Sequence, residues 1–517
     1  MRTRNSLKNI YISIFSQIII IMLGFISRRI FIDSLGAEYL GVNGLLTNVL
    51  SMLSLVEGGI GASIVYNLYK PLAEENKDKI IALVQLYKKL YGLLAIIVFL
   101  LSIALYPFLG SIIKEGQSIS YITIVYFIFV LRNIVSYLNA HKWSLINADQ
   151  KGYVLARANL IFDIFTTISK LIILMTTKNY ILYLLIEAGI FIIQNIYNGR
   201  IVNKRYPYIK TKEKHKVDNK TKDNLITNVK AIFMHKIGSF CVFGTDNILI
   251  SAFVNIKTVG LYSNYTMIIG QLSALVTPIL NSVSASVGNL VAVESEEKNY
   301  QIFNVIYLVN FWIYAISAIF LYNLLEPFID WWIGKGFLLD NLTFLVVIIN
   351  FYISGLRSSI GMFKEKAGIF KEDKYVPLVE SVVNLGSSII LIKYLGLAGI
   401  FIGTTISTVT LPLWNQPRLV YKKLFKKPSK EYFIKYIEYA LLTISSGFLT
   451  TITCNLLVKN VGFIPLVLKG IICLIIPNII FIAVFYKTDE FKYIYKIING
   501  ILNNLKTKLF RGKEVIQ

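Results

Sequence analysis

Cysteine, histidine and acidic charge are scarce in this sequence: three Cys, three His and 29 Asp plus Glu in 517 residues. Cys241, Cys454 and Cys473 are scattered through apolar stretches without metal-ligand spacing, so they read as small core residues. No Ser/His/Asp set, no Cys/His cluster and no glycine-rich phosphate loop is present. That removes the common hydrolases, metalloenzymes and ATP-driven motors. Long polar stretches are missing too, for nothing between the apolar runs exceeds about thirty residues. A soluble catalytic domain has no room, and we expect neither an enzyme nor a cofactor.

What the chain does have is apolar length. It is 55% apolar and 16% charged, with mean hydropathy +0.61. A helix of roughly twenty apolar residues crosses a hydrocarbon core of about 30 Å. Such runs lie near residues 10–33, 42–66, 90–112, 119–139, 154–176, 180–199, 226–253, 258–289, 303–325, 342–363, 375–394, 397–415, 436–456 and 463–486. The expected fold is an all-α polytopic membrane protein of about fourteen transmembrane helices. The first run follows a basic leader (Arg2, Arg4, Lys8) but lacks a small-residue cleavage site and ends in Arg28-Arg29, so we expect it to be retained.

A net charge of +24 suggests nucleic acid until its placement is read. With the N-terminus inside, the inner segments hold 39 of the 53 Lys and Arg. This is the positive-inside bias, which also favours anionic inner-leaflet lipid. Nucleic-acid binding is not expected, and both termini are placed in the cytoplasm.

The chain repeats itself at an offset near 220. Ile30-Phe31-Ile32 aligns with Ile248-Leu249-Ile250, Leu40-Gly41 with Val259-Gly260, Glu74 with Glu294 and Tyr153-Val154 with Tyr375-Val376. Six spans per copy is an even number, so both copies enter from the same side as parallel repeats. The expected organisation is a six-helix lobe at 1–200, a basic linker at 201–225 and a second six-helix lobe at 226–415. A basic loop at 416–435, two extra helices at 436–486 and a basic tail at 487–517 complete it.

Several runs carry a family resemblance. They are Leu35-Gly36-Ala37-Glu38-Tyr39-Leu40-Gly41, Glu57-Gly58-Gly59-Ile60-Gly61 and Leu68-Tyr69-Lys70-Pro71-Leu72 in the first copy. In the second they are Thr245-Asp246-Asn247-Ile248-Leu249-Ile250-Ser251 and Val259-Gly260-Leu261-Tyr262-Ser263-Asn264-Tyr265. The chain resembles, over nearly its whole length, the polysaccharide repeat-unit flippases of capsule, O-antigen and teichoic-acid export. These belong to the multidrug/oligosaccharidyl-lipid/polysaccharide exporter superfamily. The resemblance implies movement of an undecaprenyl-pyrophosphate-linked oligosaccharide to the outer leaflet of the bacterial cytoplasmic membrane, by two lobes rocking around a partly cationic cavity. A partner polysaccharide polymerase would fit that role, and a proton, sodium ion or the membrane potential would drive it.

A charge at mid-membrane costs on the order of 2.5–3.5 kcal/mol on insertion scales, so every such residue is a candidate. Arg28, Arg29, Arg132, Lys170 and Arg357 are the expected cavity cations, because Arg holds phosphate through a permanently charged fork. The plainer reading of Arg28 and Arg29 is an interfacial anchor. Arg28 aligns with Asp246, which suggests a gate pair at the outer mouth. Glu57, Asp163, Asp246 and Glu380 are the coupling or gating carboxylates. Gly58-Gly59, matched by Thr277-Pro278 in the second copy, marks a hinge. Glu187, Lys230, His235 and Lys236 complete the buried charges, with packing or snorkelling as their plainer roles.

Three other readings remain open: a cation-coupled drug exporter of the same superfamily, a flippase for the peptidoglycan precursor, and a membrane-embedded polymerase or ligase. The mixed, Arg-bearing charge argues against the first. The short outer loops, the longest being EPFIDWWIGKGFLLDN at 326–341, argue against the last.

Overall fold

Inside a bilayer each backbone N–H and C=O must find a partner within the protein, and a helix does this locally. The computed structural model describes residues 2–57, 60–112, 121–149, 151–218, 244–369, 372–460, 462–497 and 499–500, with 222, 229, 240 and 242. Among them there is no strand. Ten helices are long and apolar enough to cross a membrane, and a bent pair makes an eleventh. The expected spans at 10–33 and 258–289 fall within longer helices, and 226–253 lies mostly outside the described residues. The protein is an all-α, multi-pass membrane protein.

The helices of the first unit are α1 (Arg2–Leu35), α2 (Ala37–Leu53), α3 (Ile60–Ala73), α4 (Lys77–Leu105), α5 (Ile122–Leu138), α6 (Ala140–Ala148), α7 (Tyr153–Thr177), α8 (Tyr180–Arg205) and the short α9 (Asp246–Leu249). Then come α10 (Ile256–Val293), α11 (Glu296–Ile333), α12 (Asn341–Lys366), α13 (Val376–Leu395), α14 (Leu397–Thr410), α15 (Pro412–Val420), α16 (Lys430–Leu457) and α17 (Phe463–Phe485). By its contacts the chain forms two units. One holds residues 1–263 with 377–385; the other holds 264–376 with 386–517.

Helix starts follow their caps. Asn76, Asn179, Ser295 and Asp340 each accept the backbone N–H three residues on, at 2.9–3.3 Å, filling one of the four donors a helix start leaves open. Two expected spans are not straight. The run at 42–66 breaks: α2 ends at Leu53, a tight turn covers Ser54–Glu57, and α3 begins at Ile60. The turn immediately precedes Gly58-Gly59, which lie outside the described residues. The run at 119–139 continues through a 47° bend into α6. At that bend the Asn139 side chain donates to the carbonyl and side-chain oxygens of Asn195 on α8.

In the first unit α7 lies along α1 and α8 and buries only Leu155, Ala158 and Leu174 of its 25 residues. Its outer face is therefore apolar and open to lipid. The linker turns back after α8: the Tyr206 hydroxyl donates to Asp149 (2.6 Å). Gln85 on α4 donates to the Glu213 carbonyl and accepts from the His215 N–H.

The second unit is built around α11, against which α12, α16 and α17 pack. Its core is aromatic. Phe311 stacks on Tyr439 at 4.2 Å, Tyr307 on Tyr432 at 5.1 Å, and Phe303, Phe363, Tyr421 and Phe425 close around them. Small residues let helices approach elsewhere: Gly403 lies against Ser388, and Ser388 donates to the Ile400 carbonyl across the α13–α14 hairpin.

Candidate functional site

The first unit gathers three of its charges at one point. Arg132 on α5 reaches one oxygen of Glu187 on α8 at 2.6 Å, and Lys170 on α7 reaches the other at 2.7 Å. Their neighbours are aromatic: Lys170 lies over the Tyr183 ring at 4.4 Å and Arg132 over Phe191 at 5.5 Å. Lys170 and Glu187 are mostly shielded, while Arg132 keeps 42% of its side-chain surface open. One carboxylate serves two cations, so the cluster carries one unbalanced positive charge, and its more open member is a guanidinium. Arginine in that state presents donors to an anion. Asp163, one helix face along from Lys170, is half-buried and makes no ion pair among the described residues.

The adjacent arginines of α1 part company. Arg29 is exposed and sits 3.8 Å from Asp33, one turn on. Arg28 points inward and donates to the Ser263 carbonyl (2.7 Å) and hydroxyl (2.9 Å) in the second turn of α10. The expected partner, Asp246, instead has a buried carboxylate oxygen with no hydrogen-bond partner among the described residues. The physical reason lies in α10: its early turns, not α9, present oxygen acceptors to α1.

Close to Arg28 lies a contact between the two glycines that the repeat aligns. Within the first unit, a methyl group added to Gly41 on α2 would overlap the Ile256 carbonyl and lie 3.2 Å from the Gly260 nitrogen. One added to Gly260 would overlap the Ala37 carbonyl and lie 3.2 Å from the Gly41 nitrogen. The contact is reciprocal, residue for residue, and only bare backbone fits it. Asn48 adds a bond to the Gly244 carbonyl at 2.9 Å.

Glu57 sits on the turn between α2 and α3, with the Tyr91 hydroxyl donating at 3.5 Å. Glu380 on α13 is buried and belongs to the first unit. Arg357 on α12 is half-buried in the second unit, near enough to Tyr432 and Tyr436 to act on them electrostatically. Lys230, His235 and Lys236 lie outside the described residues, as does the Pro278 side chain. Sequence alone points to no role for Ser263 or for the reciprocal glycines. The one signal is the alignment of Gly41 with Gly260, and a shared glycine reads first as a turn.

Comparison with known proteins gives the arrangement its context. A sequence search of curated proteins gave no match. Solved structures share the fold at low identity. One is described as "Lipid II flippase MurJ, inward closed conformation" (16% identity, TM-score 0.67, 93% of this chain and 99% of that one). Another is a mutant of the Vibrio cholerae MATE transporter VcmN (13%, 0.55, 82% and 99%). A third is a MOP superfamily transporter from Pyrococcus furiosus (12%, 0.53, 80% and 94%). The family model described as "Polysaccharide biosynthesis protein" matches residues 6–285, more than half of the sequence. The chain therefore belongs to the polysaccharide biosynthesis protein family, as a membrane flippase or transporter of the MOP superfamily.

Proposed function

We propose that the protein flips an undecaprenyl-pyrophosphate-linked oligosaccharide from the inner to the outer leaflet of the bacterial cytoplasmic membrane, by alternating access between two lobes. The observation that carries this reading is the Arg132–Glu187–Lys170 cluster. A helix bundle that keeps an unbalanced cation at a half-open guanidinium favours an anionic cargo, and a pyrophosphate is such a cargo. The structural likeness to a lipid II flippase supports the same substrate class. A cation-coupled drug exporter, the second reading, would favour an unbalanced acid in the equivalent role. Polymerase or ligase chemistry has no observation in its favour.

In this scheme Arg28 and the Gly41–Gly260 contact close the outer side, and Arg132, Lys170 and Arg357 face the pyrophosphate. Glu57, Asp163, Asp246 and Glu380 are the carboxylates through which a proton or sodium ion would couple; membrane potential alone is the other driving force. The test is translocation in liposomes, with a fluorescent undecaprenyl-pyrophosphate oligosaccharide loaded on one leaflet and a cationic dye as competitor. Lipid movement that falls at least tenfold in Arg132→Gln supports the reading. Dye transport with a silent lipid assay overturns it.

A further inference from the structure

At the end of the second unit that holds the α16–α17 loop, a pocket of about 250 Å³ opens beside α11. One wall carries two carboxylates, Glu326 and Asp330, four residues apart and so on one face of α11. The other wall carries two ammonium groups, Lys459 in the loop and Lys469 on α17. Among the described residues no ion pair joins the walls. Glu326 is fixed from behind: Tyr265 donates to it at 3.2 Å and itself accepts the Leu339 N–H at 2.9 Å. The acids are held at a set place, and their counter-charges stand across a gap.

Such a gap calls for a ligand with a cation at one end and an anion at the other. The surroundings identify the rest of that ligand. Trp331 and Phe463 meet at 5.7 Å beside the pocket, in the manner of an aromatic belt at headgroup level. From Phe463 an exposed apolar track (Ile464, Val467, Leu468 and Ile471) runs along α17 away from the pocket. A polar pocket over an apolar track fits a molecule with a charged head and hydrocarbon chains. The positive-inside bias puts it in the outer leaflet.

We propose that this pocket holds the headgroup of an aminophospholipid of the phosphatidylethanolamine class. Its phosphate lies against Lys459 and Lys469, and its primary ammonium against Glu326 and Asp330. A choline headgroup has no N–H to give the carboxylates, and a glycerol headgroup has no cation. The selectivity therefore resides in the acidic wall, and the affinity for phosphate in the basic one. This site is independent of the transported cargo and does not rest on its identity.

The test is native mass spectrometry of the full-length protein released from nanodiscs that contain equal amounts of phosphatidylethanolamine, phosphatidylcholine and phosphatidylglycerol. The expected result is retention of the ethanolamine lipid at least tenfold over the other two. Retention should fall to the choline level in Glu326→Gln/Asp330→Asn. Lys459→Glu, an exposed loop change with no bearing on folding, should lower retention of ethanolamine and choline lipids alike. Equal retention of the three lipids by the unaltered protein overturns the proposal, as does ethanolamine retention that survives Lys459→Glu. Displacement of the lipid by soluble glycerophosphoethanolamine at matched concentration would overturn the role given to the apolar track.

Discussion

Replacing Gly41 by Ala tests the glycine contact directly. The added methyl would overlap the Ile256 carbonyl oxygen and lie 3.0 Å from its carbon, where relaxed carbon contacts stand at about 3.5–4.0 Å. The two helix starts must therefore separate by roughly 1 Å. Overpacking of this kind costs about 1–3 kcal/mol, and the weak Cα–H···O contacts that close backbones allow add about 0.5–1 kcal/mol each. The sum, about 2–4 kcal/mol, is a shift of roughly 30- to 700-fold in favour of the parted state. A cysteine at Val259, which is fully buried, reports the parting in a background lacking the native cysteines. Its reactivity with a membrane-impermeant maleimide should rise in Gly41→Ala, and the melting temperature should hold. The double variant Gly41→Ala/Gly260→Ala should add little, because one separation relieves both clashes and neighbouring effects do not sum. Unchanged reactivity with a lower melting temperature would mean the contact never opens. Unchanged values of both would refute the steric argument itself.

Other outcomes rest on the same geometry. Glu187→Gln leaves two cations sharing no anion; breaking a shielded pair costs about 3–5 kcal/mol, less here because Arg132 is half-open, and detergent thermal melts should show a clear loss. Lys170→Met should melt close to the unaltered protein, since Arg132 still neutralises Glu187. Arg28→Ala should reduce lipid flipping severalfold, while Arg29→Ala, which loses only an exposed pair, should leave it unchanged; equal effects would remove the gate role. Gln85→Ala frees the linker from α4, so trypsin should cut after Lys212, Lys214 or Lys216 several times faster, as timed by gel electrophoresis.

Some of this was legible in the chain and some was not, for physical reasons. Length and hydropathy suffice for the helices because hydrocarbon leaves the backbone no other option. The break after Leu53 was legible as well, since Glu57-Gly58-Gly59 interrupts an otherwise apolar run. Partners were harder. Arg132, Lys170 and Glu187 were each visible as buried charges, but their meeting depends on the rotation of α5, α7 and α8 about their axes, which a single sequence does not encode locally. Arg28 and Arg29 looked equivalent because adjacency hides the 100° turn that sends one inward and the other to solvent. The reciprocal fit of Gly41 and Gly260 needed both copies in three dimensions at once. The aromatic core around α11 was diluted in the sequence, its rings arriving from α11, α12, α15–α16 and α17.

The arithmetic of the three-residue cluster on α5, α7 and α8 has an electrical consequence. Two cations share one anion, so any motion that changes the depth of this cluster carries a gating charge. Across a potential of 100 mV a full elementary charge does about 2.3 kcal/mol of work. A displacement through a fifth of the field then does about 0.5 kcal/mol. An anionic cargo of opposite sign, seated on the cluster, would cancel or reverse that work. The empty and loaded carriers would then respond to voltage with opposite sign, and a capacitive current that inverts on loading would be their electrical signature.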